Sequence, residues 1–417
     1  MKNGQQHVLI IGFVWPEPHS SAAGKRMIEL IHLFKEQGWK VTFASAAAET
    51  DYMHNLEDIG SDQVSIEMNS STFDQFVSEL DPSIVLFDRF VVEEQFGWRV
   101  AGQCPNALRI LDTEDLHFLR RTRKKTHNEN RACTEKDLLS SKDARREIAS
   151  IFRSDLSLII SEAEMDLLQN VFNVDSDLLQ YVPFLLDPVT EHKKNALPDF
   201  SERSGFASMG NFRHDPNMDA VRYLKEKIWP LIRKQLPNAK LRIYGAYVTE
   251  EAEQMHNPEE GFLIKGRAED AREVVADAKI LLAPLRFGAG LKGKLVEAMQ
   301  CGTPTVTTSI GAEGMADASE DWGGKIADEP EEFAAAARDL YCDEQSWIDA
   351  QEKGFSILEN KFVKKDFGEQ LIEKINNLQK HLQEHRAHNF TGQMLMHHTV
   401  ESTKYMGRWI EAKNRNM

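Results

Sequence analysis

Short apolar runs recur along the first half of the chain: HVLIIGFVW, KVTFAS, QVSIEM, IVLFDR, LRILDT and LSLIIS. Runs that are apolar on both faces read as strands covered on both sides. Segments with a helical period separate many of them. Met27, Leu30, Ile31 and Phe34 fall on one face of such a segment, and Gly38 closes it before Lys40 opens the next strand. Strands alternating with amphipathic helices predict a parallel sheet with helices on both faces. The alternation stumbles at YVPFLLDP, 181–188, and the chain is then polar and proline-containing through Arg203, as a linker would be. It restarts with FASMG, LRIYG, FLIKG, ILLAP and TPTVTT, and a helix from about Pro216 would place Val221, Leu224, Ile228 and Leu231 on one side. The pattern therefore predicts two doubly wound, Rossmann-like α/β domains, 1–187 and 205–366, with a linker at 188–204. Ligands bind beyond the carboxyl ends of the strands in such sheets, so both sets of ends are expected to line one cleft. In the last segment, 367–417, Phe367, Leu371, Ile375 and Leu378 mark a long helix expected to pack back on the first domain. Residues 388–417 carry Leu395, Tyr405, Trp409 and Ile410 with no assigned partner; a further helix, an oligomer contact and a frayed tail all stay open.

Composition narrows this picture. The 417 residues suffice for two or three domains, and 41% hydrophobic with 28% charged content supports packed cores. A net charge of −16 argues against a nucleic-acid binder. Cysteines 104, 133, 301 and 342 form no CxxC pair and read as free thiols in a reducing compartment. The apolar run Val8 to Trp15 is too short for a signal peptide, and no stretch is long enough to cross a bilayer, so a cytoplasmic protein is expected. The fourteen histidines sit at ordinary helix spacings without nearby acids in a ligand pattern, so neither a catalytic metal nor a cofactor is expected.

The most informative chemistry lies in FGAGLKGKLVEAMQCGTPTVTTSIGAEG, Phe287 to Gly314. It reads as a glycine loop, a short helix from about Leu291 with Lys294 and Glu297, a glycine stop and a buried strand. Gly288 and Gly290 allow the backbone to approach a ligand, and the free N–H groups of the helix start favour an anion. A phosphate between the loop and Lys292 or Lys294, with Glu297 accepting from hydroxyls, is what a sugar nucleotide offers. The competing view is a basic, well-capped helix with a Lys294–Glu297 surface pair. Arg213 and His214 lie between a strand end and a helix start, where capping or a solvated loop is the alternative. Asp215 before Pro216 reads as a helix cap. The DTEDLH segment, Asp112 to His117, packs four ionisable groups into six positions at a strand end, suited to acid–base or electrostatic work; Asp115 as a helix cap is the rival. Residues 120–146 hold ten Lys/Arg against four Asp/Glu. That excess reads either as a solvated helical surface or as a site for anionic headgroups or a pyrophosphate-linked acceptor.

With both halves read, the chain resembles the retaining GT-B glycosyltransferases of family 4, in particular a bacterial branch with a GAGLKxK-x-x-EAM-x-x-G-x-P signature. That signature stands here as GAGLKGKLVEAMQCGTP, and MGNFRHDPNMDAVRYLKEKIWPLIRKQLPNAKLRIYG, WPEPHSSAAGKRMIEL and DTEDLHFLR look like further segments of the branch. The resemblance implies a GT-B fold and a cytoplasmic enzyme, in some members peripheral at the inner membrane face. It implies transfer of a sugar, with retention, from a nucleoside diphosphate sugar to a glycan or lipid-linked hydroxyl acceptor in bacterial surface polysaccharide or glycolipid assembly. Glu297 matches the second glutamate of the E-x7-E motif, which holds the ribose hydroxyls. The first falls on Ala289, and the N–H groups from Ala289 to Leu291 are expected to take over there. The phosphate-binding Arg after the strand glycine, here Gly210, aligns with Asn211, so Arg213, Lys292 or Lys294 must supply the positive charge. Gly24 falls where the family has a glycine near the donor phosphates. Many members carry a histidine in the DTEDLH region; Glu114 is the positional match and His117 its substitute. Two other functions stay in view. A non-catalytic GT-B scaffold in a glycan-assembly complex is consistent with Ala289 and Asn211. A dinucleotide oxidoreductase is disfavoured, because GFVWPEPHSSAAG is not GxGxxG.

Overall fold

The computed structural model describes residues 6–316 and 321–415, without the side chains of 399–404 and 414–415. The first domain is built on a seven-stranded, all-parallel sheet in the order β3-β2-β1-β4-β5-β6-β7. Its strands are β1 (His7–Gly12), β2 (Lys40–Ser45), β3 (Asp62–Ser65), β4 (Ile84–Asp88), β5 (Leu108–Asp112), β6 (Leu156–Ile159) and β7 (Leu179–Tyr181). The second carries six parallel strands in the order β10-β9-β8-β11-β12-β13. These are β8 (Phe206–Met209), β9 (Leu241–Tyr244), β10 (Phe262–Gly266), β11 (Ile280–Ala283), β12 (Thr305–Thr307) and β13 (Gly324–Ile326). In both sheets the strand order reverses beside the first strand of the domain, which opens a crevice at the carboxyl ends. The central strands β1 and β4 are almost entirely buried, as their unbroken apolar runs require. Pairing of β4 with β5 sets Asp88 opposite Asp112, so two carboxylates share the carboxyl edge of the first sheet.

The Ala22–Glu36 helix follows its sequence signals. Ser21 caps it through Gly24 N–H, it buries Met27, Leu30, Ile31 and Phe34, and Gly38 just beyond it has φ +72°. The helix expected from Pro216 is less regular. It runs Asp215–Tyr223, widens into a π turn at Leu224–Ile228 and continues as Trp229–Gln235. Pro230 has no N–H to continue the regular ladder, which accounts for the break next to it. Asp215 is the first helical residue and makes no cap; His214 precedes it without a side-chain cap bond.

The C-terminal segment returns to the first domain. A bridge between Leu186 and Val363 carries the chain back, and the Lys364–Lys380 helix then buries Leu371, Ile375 and Leu378 in the core that holds Leu30, Phe34, Ile84 and Leu108. The Phe390–Arg415 helix follows and packs on the Lys142–Arg153 helix. There, side chains at Gly392 or Gly407 would collide with Phe152 O or press on the Trp98 ring. Of the three outcomes left open for this stretch, a further helix is the one observed, with Phe390, Met394, Tyr405, Met406 and Trp409 on its exposed side. Arg203, at the end of the expected linker, is buried and donates to Thr303 Oγ1 (2.6 Å) and Cys301 O (3.0 Å), so it is held by the second domain. Among the described residues no helix is long and apolar enough to cross a membrane.

Candidate active site

Two helices, one from each domain, bring their amino ends together in the cleft. The helix bearing Glu297 spans Gly293–Gln300, two residues later than the sequence indicated. A Cβ on Gly293 would lie 2.7 Å from the Cβ of Ala22, the first residue of the Ala22–Glu36 helix. Both ends carry unpaired N–H groups and a partial positive charge, an arrangement that an anion relieves. Lys294 adds a full charge here. Its Nζ donates to the neutral amide of Asn217 (Oδ1, 2.7 Å), not to Glu297, and burial without an acid partner lowers its pKa to about 7. Asn217 is anchored by donating to Asn211 O (3.1 Å), and the bare Cα of Gly210 makes room for it, since a Cβ there would meet Asn217 at 2.6 Å. Asn211 accepts the N–H of Arg213 on its side chain (2.9 Å), and the exposed Arg213 guanidinium lies 4.1 Å over the Tyr247 ring. Glu297 is partly buried and makes no hydrogen bond or ion pair among the described residues. Gly24 serves packing: a Cβ would strike the Glu17 backbone at 2.6 Å, and Glu17 in turn accepts from Tyr247 Oη (2.9 Å) across the cleft.

The glycine loop itself is buried between the domains. Ala289 packs in the apolar cluster of the first domain. Gly290, at φ +60°, donates its N–H to Glu164 Oε1 (2.8 Å), an oxygen that also accepts Leu116 N–H (3.0 Å). Lys292 is buried, folds back onto Gly290 O (2.6 Å) and has its pKa lowered by burial. In this conformation Gly288, Ala289, Gly290, Leu291 and Lys292 dock the domains together, and the Gly290 N–H expected to face the donor is already taken by a protein carboxylate. Burial and then Asp115 raise Glu164 to about 7, and its Oε2 has no hydrogen-bond partner.

The basic stretch after DTEDLH takes part in the same contact. The His117–Asn128 helix sends Arg123 to Gly288 O (3.0 Å) and, through two nitrogens, to Glu313 (2.7 Å each). Burial pushes the Glu313 pKa up, and the Arg123 guanidinium overrides it, leaving it below the usual range. Lys124 pairs with Asp215, Arg120 pairs with Asp115 and reaches His214, and the His127 ring lies 5.6 Å from that of Phe287. Much of the local positive charge is thus engaged across the cleft or within the first domain, where Arg121, Arg131 and Arg146 also have acid partners.

The acids of the first domain cluster at its sheet edge. Arg26, fully buried, donates to both oxygens of Asp112 and to Val182 O (2.7 Å). Asp88 accepts Phe13 N–H (2.9 Å) and lies beside Arg89. Glu114 follows at φ +62°, a conformation costly for a side-chain-bearing residue. Burial, then Asp112 and Asp88, push its carboxyl well above the usual range. His117 sits edge-on to Phe90 with Nε2 3.5 Å from Asp115, and burial lowers it to about 3, so its imidazole stays neutral at pH 7. Asp115 does not cap the helix; the buried Glu147 does, accepting His117 N–H (3.1 Å) and Phe118 N–H (2.8 Å).

Sequence reasoning missed Glu164, Asn217, Glu313, Glu147 and Arg26. The available signal was carboxylates on apolar helical faces: Glu164 lies one turn before Leu168, and Glu147 one turn before Ile151, all four buried.

Residues 203–343 match the family Glycosyl transferases group 1. An uncharacterized 44.6 kDa protein in the cps region of Klebsiella pneumoniae is 28% identical over 185 residues, which cover 43% of this chain and 45% of that protein. Among solved structures, sucrose-phosphate synthase of Thermosynechococcus elongatus aligns over 90% of this chain and 99% of its own, with a TM-score of 0.66 and 14% identity. Anabaena HepE in complex with UDP-glucose covers 90% and 100% (TM-score 0.65, 13% identity). The pneumococcal O-GlcNAc transferase GtfA with UDP and GlcNAc covers 90% and 99% (TM-score 0.65, 12% identity). These likenesses establish the two-domain GT-B fold.

Proposed function

We propose, from a second domain that matches the group 1 glycosyl transferases over residues 203–343, that this protein moves a sugar from a nucleoside diphosphate donor to a hydroxyl acceptor with retention of configuration. The observation that carries this reading is the meeting of two helix amino ends beside Lys294, a half-buried cation bonded, among the described residues, only to a neutral amide. A pyrophosphate supplies the anion that this arrangement lacks. Lys294 and Arg213 then stabilise the charge that develops on the departing diphosphate. Glu297, unpaired one turn along the same helix, accepts from the pentose hydroxyls. The acceptor attacks on the face the diphosphate leaves, so a strong protein base is less necessary. Glu114, whose carboxyl burial and then Asp112 and Asp88 push well above the usual range, is the first domain's candidate for acid–base work in this reaction.

The solved relatives that hold UDP with glucose or GlcNAc support a nucleotide-sugar donor, and the cps-region relative supports surface polysaccharide assembly. A nucleoside diphosphate sugar as donor supports a reaction on the cytoplasmic side; among the described residues no helix is long and apolar enough to cross a membrane. The exposed Lys136, Lys142 and Arg145, beside the exposed Leu139, are the part of the basic stretch left to meet anionic lipid headgroups or a pyrophosphate-linked acceptor. Equal binding to neutral and anionic vesicles at low salt would remove that part of the proposal. A scaffold without turnover is favoured by one observation, the docked glycine loop with alanine at 289. Incubation with a panel of nucleotide sugars and glycan or lipid-linked acceptors decides. Transfer supports the enzyme, binding without hydrolysis or transfer supports the scaffold, and no binding at all refutes both.

A further inference from the structure

The glycine loop and the DTEDLH loop belong to different domains, yet one oxygen holds them both. Glu164 Oε1 accepts Gly290 N–H at 2.8 Å from the second domain and Leu116 N–H at 3.0 Å from the first. The side chain is 1% exposed. A carboxylate so far from water is tolerated only where donors replace its hydration. Its own helix, Glu162–Asn170, does not need it, because Leu168 already anchors that helix to the first core. The surrounding charges are Asp115 and Glu147 from the first domain, Arg123 from its basic helix, and Lys292 with Glu313 from the second domain. Opening the cleft would strip Gly290 N–H from this oxygen. Closure restores it and, through Leu116, fixes the loop two residues beyond Glu114.

We propose that Glu164 is a positioning residue that couples docking of the donor-side glycine loop to the placement of the Glu114 loop, so that the catalytic geometry forms only when the two domains are together. This inference rests on the transferase reading of the cleft, and it goes beyond that reading by assigning closure to a carboxylate outside the donor-binding motif. Glu164 touches neither donor nor acceptor; it acts through Gly290 and Leu116.

The test compares the full chain with Glu164→Gln, Glu164→Leu and Glu164→Asp. Glutamine keeps an acceptor oxygen in place, leucine removes it, and aspartate keeps the charge but withdraws the oxygen by one methylene. Loss of a charge-assisted bond at a closed interface predicts kcat lower by roughly 10- to 100-fold and a raised donor KM in the leucine and aspartate variants. The glutamine variant should stay within about threefold, because the amide oxygen still accepts. Amide exchange in the peptide spanning 287–292 should accelerate in the leucine and aspartate variants and stay slow in glutamine. The aspartate variant carries the test where leucine folds poorly. A merely structural residue would change the active fraction and melting temperature and leave donor KM where it was. Unchanged KM and unchanged exchange in both the leucine and aspartate variants would overturn the inference while an active parent kept the transferase reading intact. A parent protein that bound no nucleotide sugar would instead overturn the reading on which the inference stands, whatever exchange showed.

Discussion

Replacing Lys294 with methionine is expected to make the free protein more stable and unable to hold its donor. In the free protein the ammonium bonds only Asn217 among the described residues, and burial lowers its pKa to about 7. Each tenfold change in proton affinity corresponds to about 1.4 kcal/mol, so a fully dry site would imply several kcal/mol. The side chain keeps some contact with water, which cuts that figure, and Asn217 loses a donor worth about 1 kcal/mol. A net gain of about 1–2 kcal/mol remains for Lys294→Met. The sign of its pH dependence follows from linkage. The folded pKa lies below the unfolded one, so the penalty is full below pH 7 and fades as pH rises from there toward the ordinary lysine value. The variant's advantage in denaturant unfolding should therefore be larger at pH 6 than at pH 9. Donor binding runs the other way. A diphosphate re-protonates Lys294, so the parent should take up a proton on binding, and its affinity should weaken by up to about tenfold per pH unit above 7. Titration calorimetry with UDP in buffers of different ionisation heat measures that uptake. Lys294→Met should lose roughly 10- to 100-fold in affinity together with the proton uptake. A variant less stable than the parent at pH 6, or one that binds UDP equally well with the same proton uptake, would refute the reasoning.

Glu297→Gln should leave stability within about 0.5 kcal/mol, because the carboxylate has no partner to lose, while donor KM rises by about tenfold; a melting-temperature loss with unchanged KM would assign Glu297 a structural role. Glu114→Gly should raise stability by about 1 kcal/mol through relief of the φ +62° conformation and lower kcat by more than tenfold, with urea unfolding and initial rates as the two measurements. Loss of both would show that the carboxyl is structural. Ile375→Ala should cost about 2–5 kcal/mol, and the loss should appear in the first domain, since this residue is fully buried in that core; slowed exchange protection lost only from 205–342 would contradict the returning helix.

The two-domain architecture was legible because its signal is repeated. Each strand is a run of apolar residues bounded by a helical period, and a misread boundary leaves the alternation intact. The returning helix was legible for the same reason, as Leu371, Ile375 and Leu378 share one face. Contacts across the cleft were not, because no periodicity records them. The basic stretch at 120–146 read either as a solvated surface or as a site for anionic headgroups or an acceptor, because composition shows the cations without their partners; the pairing of Arg123 with Glu313 and of Lys124 with Asp215 joins positions 190 and 91 residues apart. Glycine at 290 was assigned to ligand approach, and the same absent side chain serves a protein neighbour, since a Cβ there would meet Asp115 at 2.8 Å. Composition marks where backbones come close and does not say to what.

The distribution of charge across the cleft separates its sealed part from its working part. Where the domains touch, cations meet carboxylates: Arg123 on Glu313, Lys124 on Asp215, Arg120 on Asp115. The loop N–H of Gly290 meets Glu164. Around Lys294 the pattern changes. Lys294 bonds Asn217 and Lys25 bonds Gln300, both neutral amides, the two helix amino ends abut, and among the described residues no acid pairs with Lys294. A protein that needed only to hold its domains together would gain by placing a carboxylate there, since an unpaired half-buried ammonium is among the costlier groups to keep. A carboxylate at that point would also compete with an incoming phosphate. Neutral amides hold the lysines in place without neutralising them, and in the proposed reading the donor's diphosphate supplies the negative charge missing there.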